Sequence, residues 1–355
     1  MKRRYAILAP DRFDGDAKTA HGVIRYGTDE VVAVIDPSLA GTCVRDVLPH
    51  LESDAPIVAT IAEALALHPT SLLIGTAPKG GGLPPDWRAA VLEAIAAKLE
   101  IVSGLHDILG TDPDFRAAAR RAGTTIWDVR EPPGVPIFCG DVYDVRAPIL
   151  LAVGNDCAVG KMTVALEIVR AAGTAGCNAR FVPTGQTGIM IAGWGISIDR
   201  VVADFAPGAA EQLVLYAARE GADLIVVEGQ GAINHPAYAP VTLALMTGCA
   251  PDALLLVCDP SRAAIESYDT PTLPYRELIA VHETLLGTIK PAPVAGIALN
   301  TRALSEERAR AEIARAREET GLPADDVVRF GAQRLYDEIA PQLRKRAPLR
   351  ASPAT

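Results

Sequence analysis

The chain has 355 residues, which at roughly 150 residues per domain predicts two domains. Hydrophobic residues make up 49% of the sequence, and this content excludes a disordered or fibrous protein. The 34 Lys and Arg residues against 43 Asp and Glu residues give a net charge of -9, which provides no positive field for a nucleic acid. No apolar run approaches the roughly 20 residues that a bilayer requires. We therefore expect a cytoplasmic protein that binds neither nucleic acid nor membrane.

Short β-branched runs alternate with helical patterns in the first part of the chain. The runs begin at Tyr5, Val31, Ser71, Glu100 and Thr125. Between two of them, residues 86–99 place an apolar side chain at every fourth position, which predicts a helix. This alternation is typical of a parallel sheet with crossover helices. We predict a Rossmann-like N-terminal domain over residues 1–145.

A proline-rich segment precedes a second set of strands. Three prolines lie within the seven residues from Arg130 to Pro136, where they prevent regular structure. The later runs are almost continuously apolar, as expected for strands covered on both faces, and they begin at Ile149, Arg180, Leu224, Leu254 and Val294. We predict a second doubly wound α/β domain over residues 146–340 and a flexible basic tail over 341–355.

The most informative motif is a glycine-rich loop between the first apolar strand of the second domain and a helical pattern. It comprises Gly154, Asn155, Asp156, Cys157, Ala158, Val159, Gly160, Lys161, Met162 and Thr163. Glycines let backbone N–H groups converge on phosphate oxygens, and the helix N-terminus and a lysine add positive charge. We therefore predict a phosphate-binding loop, and a C-terminal domain similar to P-loop NTPases, in which Lys161 and Thr163 hold a diphosphate.

The loop departs from the common G-x-x-x-x-G-K-[ST] pattern in two ways. It has one extra residue, and Met162 stands where a hydroxyl that binds Mg²⁺ normally follows the lysine. Thr163 is rotated by about 100° on the helix and does not simply replace that ligand. Phosphoryl transfer normally depends on this metal. The sequence therefore favours diphosphate binding without phosphoryl transfer, and it leaves a Mg²⁺ requirement open.

Further polar residues follow other strands, where doubly wound folds bind ligands. Glu228 and His235 lie seven residues apart in one loop, and we predict that they supply acid/base catalysis. The residues expected to contact an acidic substrate are Lys79, Gly80, Gly81, Thr184, Gln186, Thr187 and Arg262. His106 is a weaker candidate. The six cysteines lack metal-ligand spacing, so we predict no bound metal, and Cys157 is either an acyl-carrying nucleophile or a plain loop residue.

Taken together, these motifs resemble known families. The extra loop residue and the segment Glu228-Gly-Gln-Gly231 are similar to dethiobiotin synthetase-like proteins. The Gly-Gly loop of the first domain, Ser-Gly-Leu-His106, Gly-Lys-Met162-Thr, Thr184-Gly-Gln-Thr-Gly and Glu-Gly-Gln-Gly-x-x-x-His235-Pro resemble the D-glutamate N-acetyltransferase family, formerly a domain of unknown function. This resemblance covers nearly the full chain. It implies acetyl-CoA as co-substrate, D-glutamate as acceptor, a role in D-amino acid catabolism, and Glu228 or His235 as the base.

Two other functions remain open at this point. An ATP- and Mg²⁺-dependent ligase or kinase, similar to dethiobiotin synthetase, would activate a carboxylate and use Glu228 as a metal ligand. A non-catalytic module would change its oligomeric state on binding a nucleotide. The sequence does not define the chirality of the substrate. We expect an acidic two-domain enzyme of this size to form a homo-oligomer.

Overall fold

The computed structural model describes residues 2–76 and 81–343, which form two compact units. The first unit contains the chain up to Pro132 together with Gln186–Arg200, and the second contains Pro133–Gly185 and the chain from Val201 onwards. Each unit holds one six-stranded parallel sheet with helices between its strands. This arrangement confirms the predicted fold class of two α/β domains. Residues 186–200 fold with the first unit, although the sequence predicted that they belong to the second domain.

The first unit has the strand order β3-β2-β1-β4-β5-β6. Its strands are β1 (Arg4–Leu8), β2 (Glu30–Ile35), β3 (Ile57–Val58), β4 (Ser71–Ile74), β5 (Glu100–Ser103) and β6 (Ile126–Asp128). Its helices are α1 (Lys18–Tyr26), α2 (Val44–Val47), α3 (Ile61–Leu65), α4 (Arg88–Ala96), α5 (Pro113–Ala122) and α7 (Gln186–Ala192). A core of apolar residues from β1, β4, β5, α4 and α5 includes Leu72, Trp87, Ile101 and Phe115.

The second unit has the strand order β12-β11-β10-β7-β9-β8, so the direction of winding reverses at β7. Its strands are β7 (Ile149–Gly154), β8 (Ala179–Val182), β9 (Leu224–Val227), β10 (Ala253–Cys258), β11 (Val294–Leu299) and β12 (Ala324–Asp325). Its helices are α6 (Lys161–Thr174), α8 (Ala206–Arg219), α9 (Ala239–Cys249), α10 (Tyr275–Gly287), α11 (Glu306–Thr320) and α12 (Gln333–Ile339). Ligands of doubly wound folds bind at such a reversal, outside the carboxyl ends of the strands.

The strands of the second unit are apolar because its sheet is covered on both faces. Every residue of β7, β9, β10 and β11 is buried. Leu150, Leu255, Ile168 and Leu335 belong to one continuous core that joins the sheet to α6 and α12. Within the ranges 2–76 and 81–343, no helix has both the length and the apolar character needed to cross a bilayer.

Candidate functional site

The predicted phosphate loop connects β7 directly to α6 at the reversal of the sheet. β7 ends at Gly154 and α6 begins at Lys161. Ala158 and Gly160 have φ values of 52° and 108°, which are in the left-handed region. These two residues turn the loop at the N-terminus of α6. A Cβ placed on Gly160 would meet no atom within 4 Å. The N–H groups of the first helical turn have no partner within the helix, so this end of α6 suits an anion such as a diphosphate.

Asparagine side chains fix both ends of the loop to neighbouring strands. The Asn155 amide donates to the Asp259 carbonyl over 3.3 Å and accepts the Asp259 N–H over 3.2 Å, just beyond the end of β10. The Asn300 side chain, beyond the end of β11, donates to the Val159 carbonyl over 3.1 Å. The strand ends therefore hold the loop in shape.

Asp156 is the electrostatic centre of the loop. Its carboxylate is fully buried and accepts hydrogen bonds from the N–H groups of Cys157 over 2.6 Å and Glu266 over 2.9 Å. The Arg262 guanidinium pairs with Asp156 over 2.5 Å and also donates to the Cys157 carbonyl over 3.0 Å. This network gives Arg262 a structural role that the sequence did not indicate. It docks the segment after β10 onto the phosphate loop, and its contact with a substrate carboxylate stays a prediction.

The first residues of α6 have distinct environments. Lys161 is buried, and its ammonium donates to the Asp156 carbonyl over 2.7 Å, across the loop. Met162 is also buried, whereas Thr163 is partly exposed. The thioether of Met162 is a poor ligand for Mg²⁺, which prefers oxygen. The sequence Lys161-Met162-Thr163 at the start of α6 therefore favours binding of a phosphate group over tight binding of a metal ion.

Glu228 lies just beyond β9, next to the loop. One carboxylate oxygen, Oε2, accepts the N–H groups of Thr184 over 3.0 Å and Gly185 over 3.1 Å. Thr184 is fully buried and its hydroxyl donates to the Glu228 carbonyl over 2.8 Å. Thr184 therefore positions Glu228, which is not the substrate contact that we predicted for it. A Cβ on Gly229 would lie 3.2 Å from Cδ of Lys161, so Glu228 follows the strand adjacent to the phosphate loop.

The hydrogen bonds of His235 determine its tautomer. Nδ1 accepts the N–H groups of Ala237 over 3.1 Å and Tyr238 over 3.2 Å, so the proton of the neutral ring is on Nε2. Burial lowers the pKa of His235, which keeps the ring neutral. A ring with Nδ1 occupied and Nε2 protonated has no lone pair with which to accept a proton. Of the two residues predicted to act as base, Glu228 therefore has a carboxylate that can accept a proton, whereas both ring nitrogens of neutral His235 are already engaged.

Among the described residues, one group has the side-chain types of a metal site. Ligand atoms of Asp156, Cys157 and His235 lie within 4.8 Å of one another. However, the nitrogen of His235 that faces Asp156 is the protonated Nε2, 3.9 Å from Oδ1. Asp156 is already paired with Arg262. This donor set therefore does not suit a cation.

Other predicted substrate contacts lie in the first unit. A Cβ on Gly81 would overlap the His106 ring, and the Gly81 carbonyl accepts the His106 N–H over 2.8 Å, so these two predicted residues adjoin. The Gln186 side chain packs where a Cβ of Gly104 would be. Thr187 is buried and shares a hydrogen bond of 3.1 Å with the Thr19 hydroxyl, which makes Thr187 structural. Lys79 and Gly80 lie outside the described residues.

Several residues at the site were not predicted from the sequence. Asn300 follows an apolar strand, and its position at a strand end was the available signal. The side-chain amide of Asn234 is buried with no hydrogen-bond partner among the described residues, which is unusual for a buried polar group. Tyr238 and Tyr268 contact the His235 ring at centroid distances of 4.6 and 5.3 Å. Nothing in the local sequence around these tyrosines indicated that contact.

The strand, glycine-rich loop and lysine-initiated helix define a P-loop protein with an additional Rossmann-like unit. Two family models match the chain: the P-loop domain of a domain of unknown function, DUF1611, over residues 136–336, and its Rossmann-like N-terminal domain over residues 37–132. The chain belongs to the DUF1611 family.

Similar proteins agree with this assignment. A D-glutamate N-acetyltransferase from Tritonibacter scottomollicae is 37% identical over 335 residues, 94% of this chain and 96% of that protein. A second protein of that name, from a Pseudoalteromonas species, is 34% identical over 79% of this chain and 84% of its own length. The crystal structure of a DUF1611 family protein from Anabaena variabilis ATCC 29413 superimposes with a TM-score of 0.90 at 38% identity, over 96% of this chain and 100% of that one. The family resemblance and the acyltransferase class are thereby confirmed.

Proposed function

We propose that this protein transfers the acetyl group of acetyl-CoA to the amine of D-glutamate. The observation that carries the proposal is the phosphate loop, which offers a helix N-terminus, Lys161 and an open Gly160 to a diphosphate, while Met162 replaces the hydroxyl that holds Mg²⁺. CoA contains such a diphosphate. Acetyl transfer from sulfur to nitrogen requires no γ-phosphate. The names of the two relatives support the acetyl group and the amino acid acceptor.

In this proposal, Lys161, Thr163 and the loop amides bind the CoA diphosphate. Glu228 removes a proton from the substrate ammonium, and the free amine attacks the thioester carbonyl. The C–N bond forms and the C–S bond breaks as the tetrahedral intermediate collapses. Glu228 passes its proton to the CoA thiolate, and the nitrogen loses a second proton to solvent, so the products are N-acetyl-D-glutamate, CoA and one proton. Gly81 and Gln186 remain predicted contacts of the amino acid, and Cys157 has no covalent role.

The test is CoA release with D-glutamate, L-glutamate and D-aspartate as acceptors. We expect turnover to be fastest with D-glutamate. Because the amide of Glu228→Gln can accept the Thr184 and Gly185 N–H groups but cannot take up a proton, this variant should lose at least about 100-fold in kcat. Glu220→Gln, at an exposed residue directly after α8, is the matched control. ADP formation from ATP and Mg²⁺, without acetyl transfer to any of the three acceptors, would contradict the proposal.

A further inference from the structure

Three aromatic rings form a cluster beside the phosphate loop. His235 is buried, and its ring contacts Tyr238 at 4.6 Å and Tyr268 at 5.3 Å between centroids. The two tyrosines are 54% and 42% exposed, so part of each ring meets solvent. The His235 ring is tilted by 40° to the Tyr238 ring and is nearly perpendicular, at 77°, to the Tyr268 ring. We call His235, Tyr238 and Tyr268 the three-ring cluster.

The loop that carries Tyr268 is attached to the phosphate loop. Two groups of this segment bind the buried Asp156 carboxylate: the Arg262 guanidinium over 2.5 Å and the Glu266 N–H over 2.9 Å. Ser267 then adopts φ of 69°, a conformation that non-glycine residues rarely use, immediately before Tyr268. The backbone conformation at Ser267 therefore sets the direction in which the chain enters Tyr268. The contacts with Asp156 fix the position of the loop.

Tyr238 is attached to the same cluster through its backbone. Its N–H donates to Nδ1 of His235 over 3.2 Å, at the turn that leads into α9. Nε2 of His235 in turn lies 3.9 Å from Oδ1 of Asp156, within the phosphate loop. Both exposed rings thus contact His235, and the His235 ring lies beside the loop that suits a diphosphate.

We propose that Tyr238 and Tyr268 form the subsite for the purine base of a ligand whose diphosphate occupies the phosphate loop. In a nucleoside diphosphate only a ribose separates the base from the phosphates, so a base subsite must lie close to the phosphate loop. Exposed aromatic faces bind bases by stacking, whatever the identity of the base. This proposal rests on the proposed function in one respect, which is that CoA contains an adenosine diphosphate. It also applies to other nucleoside diphosphates.

The test compares ADP with inorganic pyrophosphate by isothermal titration of the full chain. We expect wild-type protein to bind ADP at least about tenfold more tightly than pyrophosphate, since stacking on an aromatic ring strengthens binding by about that factor or more. Combining Tyr238→Ala with Tyr268→Ala should remove this advantage and leave pyrophosphate affinity unchanged. The corresponding Phe variants should retain ADP binding, because the stacking face is preserved. Tyr216→Ala, at a tyrosine of 42% exposure on α8, is the matched control.

The outcomes separate this proposal from the proposed function. If the double Ala variant, shown to be folded by circular dichroism, binds ADP as tightly as wild type, the base subsite is wrong whatever the reaction. If it loses ADP and pyrophosphate affinity equally, the tyrosines support the loop only, and the subsite is again wrong. Selective loss of ADP affinity supports the subsite even if the protein releases no CoA with D-glutamate, a result that would contradict only the proposed function.

Discussion

At the scale of single residues, the direction of the hydrogen bonds distinguishes the two side chains of the Glu228–His235 loop. His235 receives two backbone N–H groups at Nδ1, which leaves its proton on Nε2. Its neighbour in the predicted pair, Glu228, has a carboxylate positioned by Thr184 and Gly185. Sequence spacing placed both residues in one loop, but it contained no information about tautomers.

Replacing His235 separates a positioning role from a catalytic one. Oδ1 of Asn can accept N–H groups two and three residues ahead, as Nδ1 of His235 does, so His235→Asn should keep kcat within about tenfold of wild type. His235→Ala lacks this acceptor and should lower the free energy of unfolding by about 1 kcal/mol. Neither variant should change the dependence of kcat/KM on pH. A loss of 100-fold or more in His235→Asn, with a changed pH profile, would restore His235 as the base.

The sequence predicted the location of the site better than the roles of its residues. A strand followed by a glycine-rich loop and a helix is a local pattern, so the phosphate loop was identified correctly as an element. Arg262 and Asp156 pair with each other although they are more than 100 positions apart in the chain. No local sequence pattern indicates such a contact. For this reason, Arg262 was assigned to substrate, and the exposed tyrosines were not recognised.

At the scale of secondary-structure elements, close packing at Gly229 sets the approach of β9 to β7. A Cβ on Gly229 would overlap the Ala152 carbonyl of β7, which is backbone and cannot move aside. Gly229→Ala should therefore lower the free energy of unfolding by about 1–3 kcal/mol. Gly173→Ala, in α6, has open space around its Cβ and should raise the free energy by up to about 1 kcal/mol. Denaturant unfolding of both variants measures the difference between their free energies of unfolding. Equal values would contradict a role for the close contact between Gly229 and the Ala152 carbonyl.

Helices with a capping residue or a regular apolar spacing were the easiest elements to predict from the sequence. Asp112 caps α5 by accepting the Asp114 and Phe115 N–H groups, and Ser305 caps α11 by accepting the Arg308 N–H group. The helix predicted over 86–99 is Arg88–Ala96, preceded by a short 3-10 turn. The two-residue strands β3 and β12 were not predicted, because such short strands are defined by pairing with a neighbour and not by a pattern of their own.

At the scale of the whole molecule, buried neutral histidines make stability depend on pH. Burial lowers the pKa of His235 and of His282, which are 2% and 0% exposed. Below about pH 6.5 the unfolded chain binds protons at these positions while the folded chain does not. The free energy of unfolding should therefore fall with decreasing pH, by up to about 1 kcal/mol per pH unit for each histidine.

The variant His282→Leu should show a smaller slope below about pH 6.5, because it removes one of these titrating groups. His50→Gln, at an exposed histidine, is the control. The measurement is the free energy of unfolding between pH 5 and pH 7. An unchanged slope in His282→Leu would mean that His282 takes up its proton over the same pH range in the folded and the unfolded chain, which would contradict this prediction.

The division of the chain into units was only partly visible in the sequence. The proline-rich segment lies where the two units meet along the chain. The return of Gln186–Arg200 to the first unit depends on packing of α7 against α1, including the hydrogen bond between Thr187 and Thr19. The strands of both sheets are apolar. The sequence therefore does not indicate which of the two sheets α7 packs against. The homo-oligomer and the cytoplasmic location remain predictions.

The central claim is that the phosphate loop holds the diphosphate of acetyl-CoA for acetyl transfer, without dependence on Mg²⁺. The most direct test is isothermal titration of the full chain with acetyl-CoA in the presence of a chelator, and with ATP in the presence and absence of Mg²⁺. We predict that acetyl-CoA binds with equal affinity whether or not the chelator is present. Mg²⁺-dependent binding of ATP, with no binding of acetyl-CoA, would contradict this account and recast Glu228 as a metal ligand.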